Sequence, residues 1–481
     1  MTLWPLPVTT AIAAAPALAA LLAPPSMERR RARMFGVGVT LAVLALTIGA
    51  SIAWNRAGCA PASDFLDPGR LAGRAPLFVI DELNSLLLPF AALIFAFVVL
   101  VQPATLALER ALRRLLLSEA VTLATFLTTE PLVLAFLWCV ASSVCWVELR
   151  LRGRDARAAA RVFAAYTVVS CASMVLGAVL LYVTAAPARV AATVLLALAV
   201  MLRKGVVPLH SWLPELCSTA PLPVSVLFNA PQIGAWVAVR LVAPYAPVWV
   251  LEWISLTALA TAVYGAGVAL VQVDARRLFA WLFLSQSALI LVGLESQASV
   301  AQAGGLSAWI SSGLALAGFG MTIAALEARR GPLSLERFAG GYDRKPLLAA
   351  SFLVLGLASV GFPGTLGFVG QEALVHGVVS DFPHFGFAVL VASMLNGMTV
   401  LRAYFILFCG RDEPGRVSQT LRARERLGFV ALAALLLVTG LFPSAFVRSR
   451  TRAVERLRSA MTEPSASSTA RVERSDRGSA R

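Results

Sequence analysis

Two adjacent basic residues inside an apolar stretch are the strongest candidates for chemistry in this sequence. Arg203 and Lys204 follow the apolar run 193–201, and Pro208 comes four residues after the lysine. A charge within a membrane helix is costly, so it usually faces a protein or water-filled interior. A proline just beyond it frees backbone carbonyl groups, which is tolerated only where they line a cavity or meet a partner. The pattern therefore predicts an interrupted helix that carries a buried cation.

The two basic residues differ in what they can do. An arginine does not release its proton in proteins, whereas a lysine can do so when it is removed from water. Lys204 is therefore the predicted proton carrier, and Arg203 is the predicted fixed counter-charge. In the alternative interpretation, both side chains extend to the membrane surface. The apolar Val206 and Val207 that follow favour burial.

A second interruption lies in the other half of the chain. The apolar run 347–379 is too long for one straight span, and it is broken by Gly361, Pro363 and Gly364. An amide, an acid and an imidazole come just beyond the break: Gln371, Glu372 and His376. Paired interruptions at matching positions indicate an inverted-repeat transporter whose ion path lies between the two breaks. We therefore expect Lys204 and Glu372 to share one polar interior.

Three more titratable residues are weaker candidates for a proton pathway. His210 can relay a proton, or it can hold the broken helix by a hydrogen bond. Glu119 lies in a short apolar segment, either in the interior or at the membrane surface. Glu148 falls at the end of a span next to Arg150, where a solvated helix end is the simpler interpretation.

The sequence predicts neither an active site nor a metal site. No pair of histidines or cysteines has the spacing of metal ligands. We find no nucleotide-binding loop and no nucleophile–base set, so we expect no cofactor and no catalytic residue.

The composition places these residues in a polytopic membrane protein. Of the 481 residues, 58% are hydrophobic and 14% are charged, and the mean hydropathy is +0.78. A helical span needs about 20 apolar residues. The sequence predicts an all-α fold of about 14 spans, at 4–23, 36–54, 83–102, 114–128, 131–148, 159–184, 190–210, 222–243, 249–272, 277–295, 303–326, 347–379, 384–409 and 427–446.

The basic residues predict the orientation of the chain. The formal net charge is +15, and arginine clusters follow most odd-numbered spans, which places those ends in the cytoplasm and both termini outside an inner membrane. The basic tail after span 14 conflicts with this rule. No nucleic-acid-binding module accompanies the basic loops, so we expect contacts with anionic lipid rather than nucleic acid.

Several stretches resemble the antiporter-like membrane subunits of respiratory complex I and the Mrp antiporters. They are PLHSWLP (208–214), APLPVS (220–225), FVIDELNSLLLP (78–89), EPLVLAFLW (130–138), VQVDARRLFAW (271–281), LASVGFPGTLGFVG (357–370) and LNGMTVLRAYFILFCG (395–410). Together they extend over most of residues 78–410.

The resemblance implies two inverted five-helix repeats, formed by spans 4–8 and 9–13, with broken helices 7 and 12. It also implies half-channels for protons, no cofactor, and other membrane subunits as partners. The implied segments are 1–112 (spans 1–3), 113–243 (first repeat), 249–410 (second repeat), 411–446 (loop and span 14), and 447–481 (a basic, largely disordered tail).

The chain departs from the family pattern at several charged positions. Uncharged residues stand where the family has ionisable groups: Cys139, Asn229 or Gln232, Ser312, Leu316 and Gln371. Three hypotheses remain open. The chain is a proton-conducting or proton-coupling subunit of a complex-I/Mrp-like assembly, possessing no active site of its own. Alternatively, it belongs to an energy-coupled inorganic-carbon transporter with a zinc-containing partner protein, or it is a non-conducting structural subunit.

Overall fold

The computed structural model describes residues 2–24, 27–103, 108–153, 156–183, 185–340, 342, 345–381, 383–410 and 420–459. Helices account for nearly all of the regular structure, as the all-α prediction requires. A small addition is a parallel pair of strands, β1 (Thr2–Trp4) and β2 (Ala62–Asp64).

The helices run in chain order as follows: α1 (Val8–Leu22), α2 (Arg29–Arg56), α3 (Pro68–Leu71), α4 (Asn84–Val101), α5 (Leu108–Leu127), α6 (Pro131–Arg150), α7 (Arg157–Leu180), α8 (Ala186–Lys204), α9 (Trp212–Thr219), α10 (Leu222–Asn229), α11 (Ile233–Val237), a π-helical turn (Ala238–Val242), α12 (Val248–Val271), α13 (Ala275–Leu294), α14 (Ser299–Arg330), α15 (Pro346–Ser359), α16 (Leu366–Asp381), α17 (Pro383–Phe408), α18 (Ala423–Leu441) and α19 (Ser444–Ser459).

The polytopic membrane fold follows from the apolar content of these helices. Within the described residues, ten helices are long and apolar enough to cross a membrane, or eleven if α18 and α19 are taken as one bent span. The longest, α14, has 32 residues, and its apolar stretch is wholly buried. It packs closely against α16 because glycines at the contact, such as Gly304 and Gly370, leave no side chain between the backbones. The count of fourteen spans and the inverted repeats stay predictions.

The chain is interrupted at both predicted places. Helix α8 ends at Lys204, where Gly205 takes a left-handed backbone conformation (φ +70°), and the chain becomes helical again at α9. Helix α15 ends at Ser359 and α16 begins at Leu366, with Gly361 and Gly364 at φ +79° and +85° between them. Glycine adopts these angles at little steric cost, which is why it ends helices in this way.

A third interruption divides span 8, which we predicted as continuous from 222 to 243. Helix α10 ends at Asn229, and Gln232 adopts a left-handed conformation (φ +60°) before α11 begins. The cause is visible in the sequence, since Pro231 has no N–H and cannot continue the α10 hydrogen-bond ladder.

The predicted tail begins later than residue 447. Residues 444–459 form α19, which is bent by 77° from α18. Arg450 in this helix is buried and donates hydrogen bonds to the backbone carbonyls of Glu82 and Leu83, at 3.2 and 3.1 Å. Those contacts hold α19 against the two residues that directly precede α4, so this part of the tail is ordered. Residues 460–481, also predicted to be disordered, lie outside the described residues.

Candidate functional site

Lys204 is buried where three segments meet: the end of α8, the break between α10 and α11, and α13. Its residue is 5% exposed, and its Nζ donates a hydrogen bond to Oε1 of Gln232, at the break between α10 and α11. The hydroxyl of Ser287, on α13, donates to the same oxygen at 3.1 Å. In the part of the chain that the structure describes, no carboxylate lies within ion-pair distance of Lys204. The hydrogen-bond acceptor that the described chain offers to Lys204 is therefore a neutral amide oxygen.

Arg203 is held as a fixed cation by a different set of groups. Its Nη1 donates to the hydroxyl of Ser142 on α6, at 2.8 Å. The guanidinium lies over the ring of Phe228, 3.8 Å from the centroid, and over the ring of Trp138, at 5.1 Å. Cation–π contacts of this kind gain strength when desolvated. Arg203 therefore links α6, α8 and α10 and stays beside, rather than bonded to, the neighbouring lysine.

A cavity of about 650 Å³ lies on the predicted cytoplasmic side of the chain. Helices α5, α6 and α10 line it, with Arg114 and Glu148 paired at its wall. Two smaller cavities of about 10 Å³ each lie beyond it, one beside Arg203 and one beside Lys204. Each has room for about one water molecule. Phe228 lines all three cavities, so the wide cavity and the two small cavities beside the buried cations share this side chain.

Beyond Lys204, buried side chains that are polar but neutral extend the polar part of the interior. Gln286 and Ser287 are buried on α13, at 3% and 1% exposure. Asn396 on α17 donates from Nδ2 to the hydroxyl of Ser285 at 2.8 Å, and Ser285 donates to the carbonyl of Ala262 at 2.7 Å. Among the described residues, Nε2 of Gln286 and Oδ1 of Asn396 have no hydrogen-bond partner, although both are buried. Polar atoms left unsatisfied in this way are suited to ordered water.

Two acids are buried without partners. Glu119 on α5 is fully buried, and Glu295, just after α13, is 4% exposed. All four carboxyl oxygens lack a hydrogen-bond partner within the described ranges. Glu119 precedes Phe126 by seven residues and so lies on the same helical face, and Phe126 packs against Trp236 and Trp309 in the centre of the molecule. Glu119 thus faces the interior and not the membrane surface.

The sequence predictions missed Glu295. It stands at the end of an apolar span, where a solvated helix end is the ordinary expectation, and nothing in the local pattern indicates that the chain covers it.

The expectation that Lys204 and Glu372 share one interior is wrong. Glu372 is exposed on the outer surface of α16, one residue and about 100° around the helix from Gln371. Gln371 is half-buried and donates from Nε2 to the hydroxyl of Ser393 at 2.5 Å. His376, one turn beyond Glu372, is also exposed.

The remaining predicted residues have definite places. His210 lies against the rings of Trp281 and Tyr264, with centroid distances of 5.0 and 6.0 Å, and its Nδ1 has no partner in the described chain. Glu148 is buried and paired with Arg114, so the interpretation as a solvated helix end beside Arg150 is wrong. Pro208 lies in the non-helical segment between α8 and α9.

The chain is similar to known proteins over much of its length. A family model described as "NADH:quinone oxidoreductase/Mrp antiporter, TM" matches residues 130–396. NADH-quinone oxidoreductase subunit M of Pseudomonas aeruginosa is 29% identical over 250 residues, which are 50% of this chain and 48% of that protein. NADH-quinone oxidoreductase subunit 13 of Thermus thermophilus is 30% identical over 258 residues, 52% of this chain and 54% of that protein. The match spans about half the length of these curated relatives.

Solved structures match nearly the whole chain. A chain of respiratory complex I from Thermus thermophilus has a TM-score of 0.80 and 24% identity, with 93% of this chain and 98% of that chain covered. A chain of the Mrp complex from Dietzia sp. DQ12-45-1b has a TM-score of 0.81 and 18% identity, with 94% and 98% covered. At these identities the likeness establishes a shared fold.

Proposed function

Because the chain belongs to the NADH:quinone oxidoreductase/Mrp antiporter transmembrane family, we propose that it conducts protons as one membrane subunit of a larger complex. It is a multi-pass, antiporter-type membrane subunit. The observation that carries the proposal is Lys204, a buried amine at a helix break that is bonded to a neutral amide. Proton relays across membranes need groups that bind and release a proton in turn, and this lysine meets that need.

The proposed route begins in the wide cavity at the predicted cytoplasmic side. A proton passes Phe228 by way of water, reaches Lys204, and moves along Gln232 and Ser287 to the polar groups of α13 and α17. The neutral members of the row support transfer only through bridging water, because amides and hydroxyls do not hold an extra proton. The buried acids Glu119 and Glu295 are proposed to bind protons on either side of this row.

The test is a proton-flux measurement on vesicles that contain the assembled complex, compared with vesicles that lack this chain. We expect Glu295→Gln to lower the flux because it removes a titrating group at nearly constant volume. Glu215→Gln is the matched control, since the Glu215 side chain is 42% exposed and pairs only loosely with Arg277, at 3.5 Å. Unchanged flux in Glu295→Gln would remove that residue from the route. Equal flux with and without the chain would overturn the proposal.

Phe228→Ala is predicted to raise the passive proton leak severalfold. Removing the ring joins the 650 Å³ cavity to the small cavities beside Arg203 and Lys204, and continuous water carries protons past a former barrier. Leak is measured as the decay of an imposed pH gradient in the same vesicles. Phe97→Ala is the control, because Phe97 is also buried but packs against Phe429, away from the cavities. The same leak in both variants would contradict a gating role for Phe228.

A non-conducting structural subunit is the second candidate. It is favoured by the neutral residues Cys139, Ser312, Leu316 and Gln371 at positions where the family has ionisable groups, and by the exposure of Glu372. The flux comparison above separates it from the first candidate. The inorganic-carbon alternative, with its zinc-containing partner, stays a prediction.

A further inference from the structure

We propose that a cavity between α2, α4 and α19 binds a phospholipid whose headgroup carries both a phosphate and an ammonium group. We call this cavity, of about 820 Å³, the α19 pocket. Its volume is within the range of about 300–1,000 Å³ that is usual for the sites of small ligands. Its wall has a charged side on α19 and an apolar side to which all three helices contribute. The inference does not depend on whether the chain conducts protons.

The α19 pocket lies at the predicted outer edge of the membrane. Helix α4 has 18 residues and so rises about 27 Å, which is close to the thickness of the apolar layer, about 30 Å. The basic cluster 109–114, on the predicted cytoplasmic side, follows the end of this helix. Glu82, which lines the pocket just before α4 begins, therefore lies at the opposite surface. Phospholipid headgroups lie at this depth.

Helix α19 runs nearly parallel to the membrane surface. Arg424 in α18 donates to the carbonyl of Leu100 at 2.9 Å, near one end of α4, and Arg450 in α19 contacts Leu83 at the other end. Helix α18 therefore follows α4 across the membrane, and α19 turns away from it by 77°. A helix in this position, with its charged residues on one side, is typical of the membrane interface.

One face of α19 supplies the charged side of the pocket. This face consists of exposed residues at the helical spacing i, i+3, i+4 and i+7, all of which line the pocket: Arg448, Thr451, Arg452 and Glu455. A guanidinium group binds phosphate oxygens through two parallel hydrogen bonds, and a hydroxyl group can donate to a further oxygen. The two arginines and the threonine between them therefore form a site for one phosphate group.

Arg448 is the cation of α19 that is available to a ligand. Arg450 is buried and bonded to backbone carbonyls. Arg452 and Arg456 lie 3.6 and 3.9 Å from the carboxylate oxygens of Glu82, which is buried. This pairing holds Arg452 at the wall of the pocket while half of its side chain stays exposed. Arg448 forms no ion pair or hydrogen bond with the described part of the chain.

Glu455 indicates that the ligand also carries a positive charge. It is exposed in the pocket and has no ion-pair partner among the residues that the structure describes. It lies three residues beyond Arg452, about 4.5 Å along the helix axis, which the two-carbon linker of a phosphoethanolamine group can span. The wall contains two arginines and two glutamates, so its formal charge is zero. A zwitterionic headgroup complements such a wall better than an anionic headgroup does.

The apolar side of the pocket matches an acyl chain. It includes Ile52 of α2, Leu86 of α4 and Phe446 of α19. Ile52 is 49% exposed on the isolated chain, and the other two are half-buried. Leu86 lies one helical turn deeper in the membrane than Glu82, so the apolar side continues inward from the charged side. A phospholipid has the same order of groups, whereas a soluble phosphate compound would leave the apolar side uncovered.

The first experiment measures lipid binding to the purified, delipidated full-length chain by native mass spectrometry. We expect phosphatidylethanolamine to bind, and we expect Arg448→Gln to weaken this binding about tenfold, the effect of losing one hydrogen bond to a charged group. Arg458→Gln is the matched control, because Arg458 lies on α19 outside the pocket and donates to the carbonyl of Gln297 at 2.8 Å. Thermal unfolding checks that both variants are folded. Equal binding by the two variants would overturn the phosphate site.

Two further ligands test the headgroup and the acyl chain. Phosphatidylglycerol is expected to bind the wild-type chain less tightly than phosphatidylethanolamine does, and Glu455→Gln is expected to remove this preference. Phosphatidylglycerol binding that is as tight as that of phosphatidylethanolamine would overturn the assignment of an ammonium group. Glycerophosphoethanolamine, which has the headgroup without the chains, is expected to bind about tenfold more weakly or worse. Equal affinity for it would mean that the ligand is a soluble phosphate compound.

The last experiment asks whether lipid reaches the pocket in the assembled complex. A photoactivatable phosphatidylethanolamine, added to native membranes, is expected to label the segment 445–455 of this chain. Arg448→Gln is expected to lower that labelling relative to Arg458→Gln. Labelling that spares the segment 445–455 while it marks other parts of the chain would mean that another protein covers the pocket, and it would overturn the proposal.

Discussion

Replacing Lys204 by glutamine is expected to lower proton flux about tenfold or more in vesicles that hold the assembled complex. The amide side chain is one atom shorter than that of lysine and still offers hydrogen-bond donors, but it has no proton to release. Its neighbours cannot substitute for it, since Gln232 and Ser287 are neutral and Arg203 does not give up its proton. The flux is followed with a pH-sensitive dye after an imposed membrane potential.

Lys204→Arg separates titration from fixed charge. If Lys204 must bind and release a proton, the arginine variant conducts as poorly as the glutamine variant, because its guanidinium stays charged. If only a positive charge is needed at the break, Lys204→Arg retains most of the flux. Arg203→Lys is the companion variant and is expected to retain flux, since its proposed role is that of a cation beside Phe228 and Ser142. Full flux in Lys204→Gln would remove the lysine from the pathway.

The helical spans could be predicted because hydropathy and helix-breaking residues act locally. Apolar length alone gives α12, α13 and α17 to within a few residues, and Gly361, Pro363 and Gly364 mark the second break through their backbone preferences. The same local signal was present at Pro231 but was weaker, because one proline in a span is often absorbed as a kink. The third break, which supplies the partner of Lys204, was therefore missed.

Whether a side chain points into the protein or away from it could not be predicted in the same way. Gln371 and Glu372 are adjacent, and a difference of one residue turns a side chain by about 100°. The helix carries apolar residues on all sides, so its sequence has no stripe to indicate which residue points inward. Only the packing of α16 on α14, set by glycines far apart in sequence, decides that Gln371 turns inward and Glu372 outward.

The burial of Glu119 and Glu295 has a similar explanation. Each acid is covered by segments that are distant along the chain, and burial by distant segments leaves no local pattern. The positions of Arg203 and Lys204 could be inferred because both lie beside a break, and a cation at a break faces the interior for reasons that are themselves local.

Gly304→Val is expected to lower the free energy of unfolding by about 3 kcal/mol, the upper end of the usual cost of overpacking. A Cβ atom at Gly304 would lie 2.4 Å from the backbone nitrogen of Leu374 and 2.7 Å from its Cα. The same close approach of the two helix backbones is seen at Gly377 of α16, where a Cβ atom would lie 2.2 Å from the backbone nitrogen of Ala301 in α14. Backbone atoms cannot rotate away as a side chain can, so α14 and α16 must separate.

Gly397→Val is the matched control for this prediction. Gly397 lies on α17, and a Cβ atom there would have no other atom within 4 Å. Valine is a better helix former than glycine, so this variant should unfold at the wild-type temperature or slightly above it. Both proteins are compared by thermal unfolding in one detergent. Equal stability of the two variants would mean that α14 and α16 are not in backbone contact, and the outward position of Glu372, which depends on that contact, would then have to be abandoned.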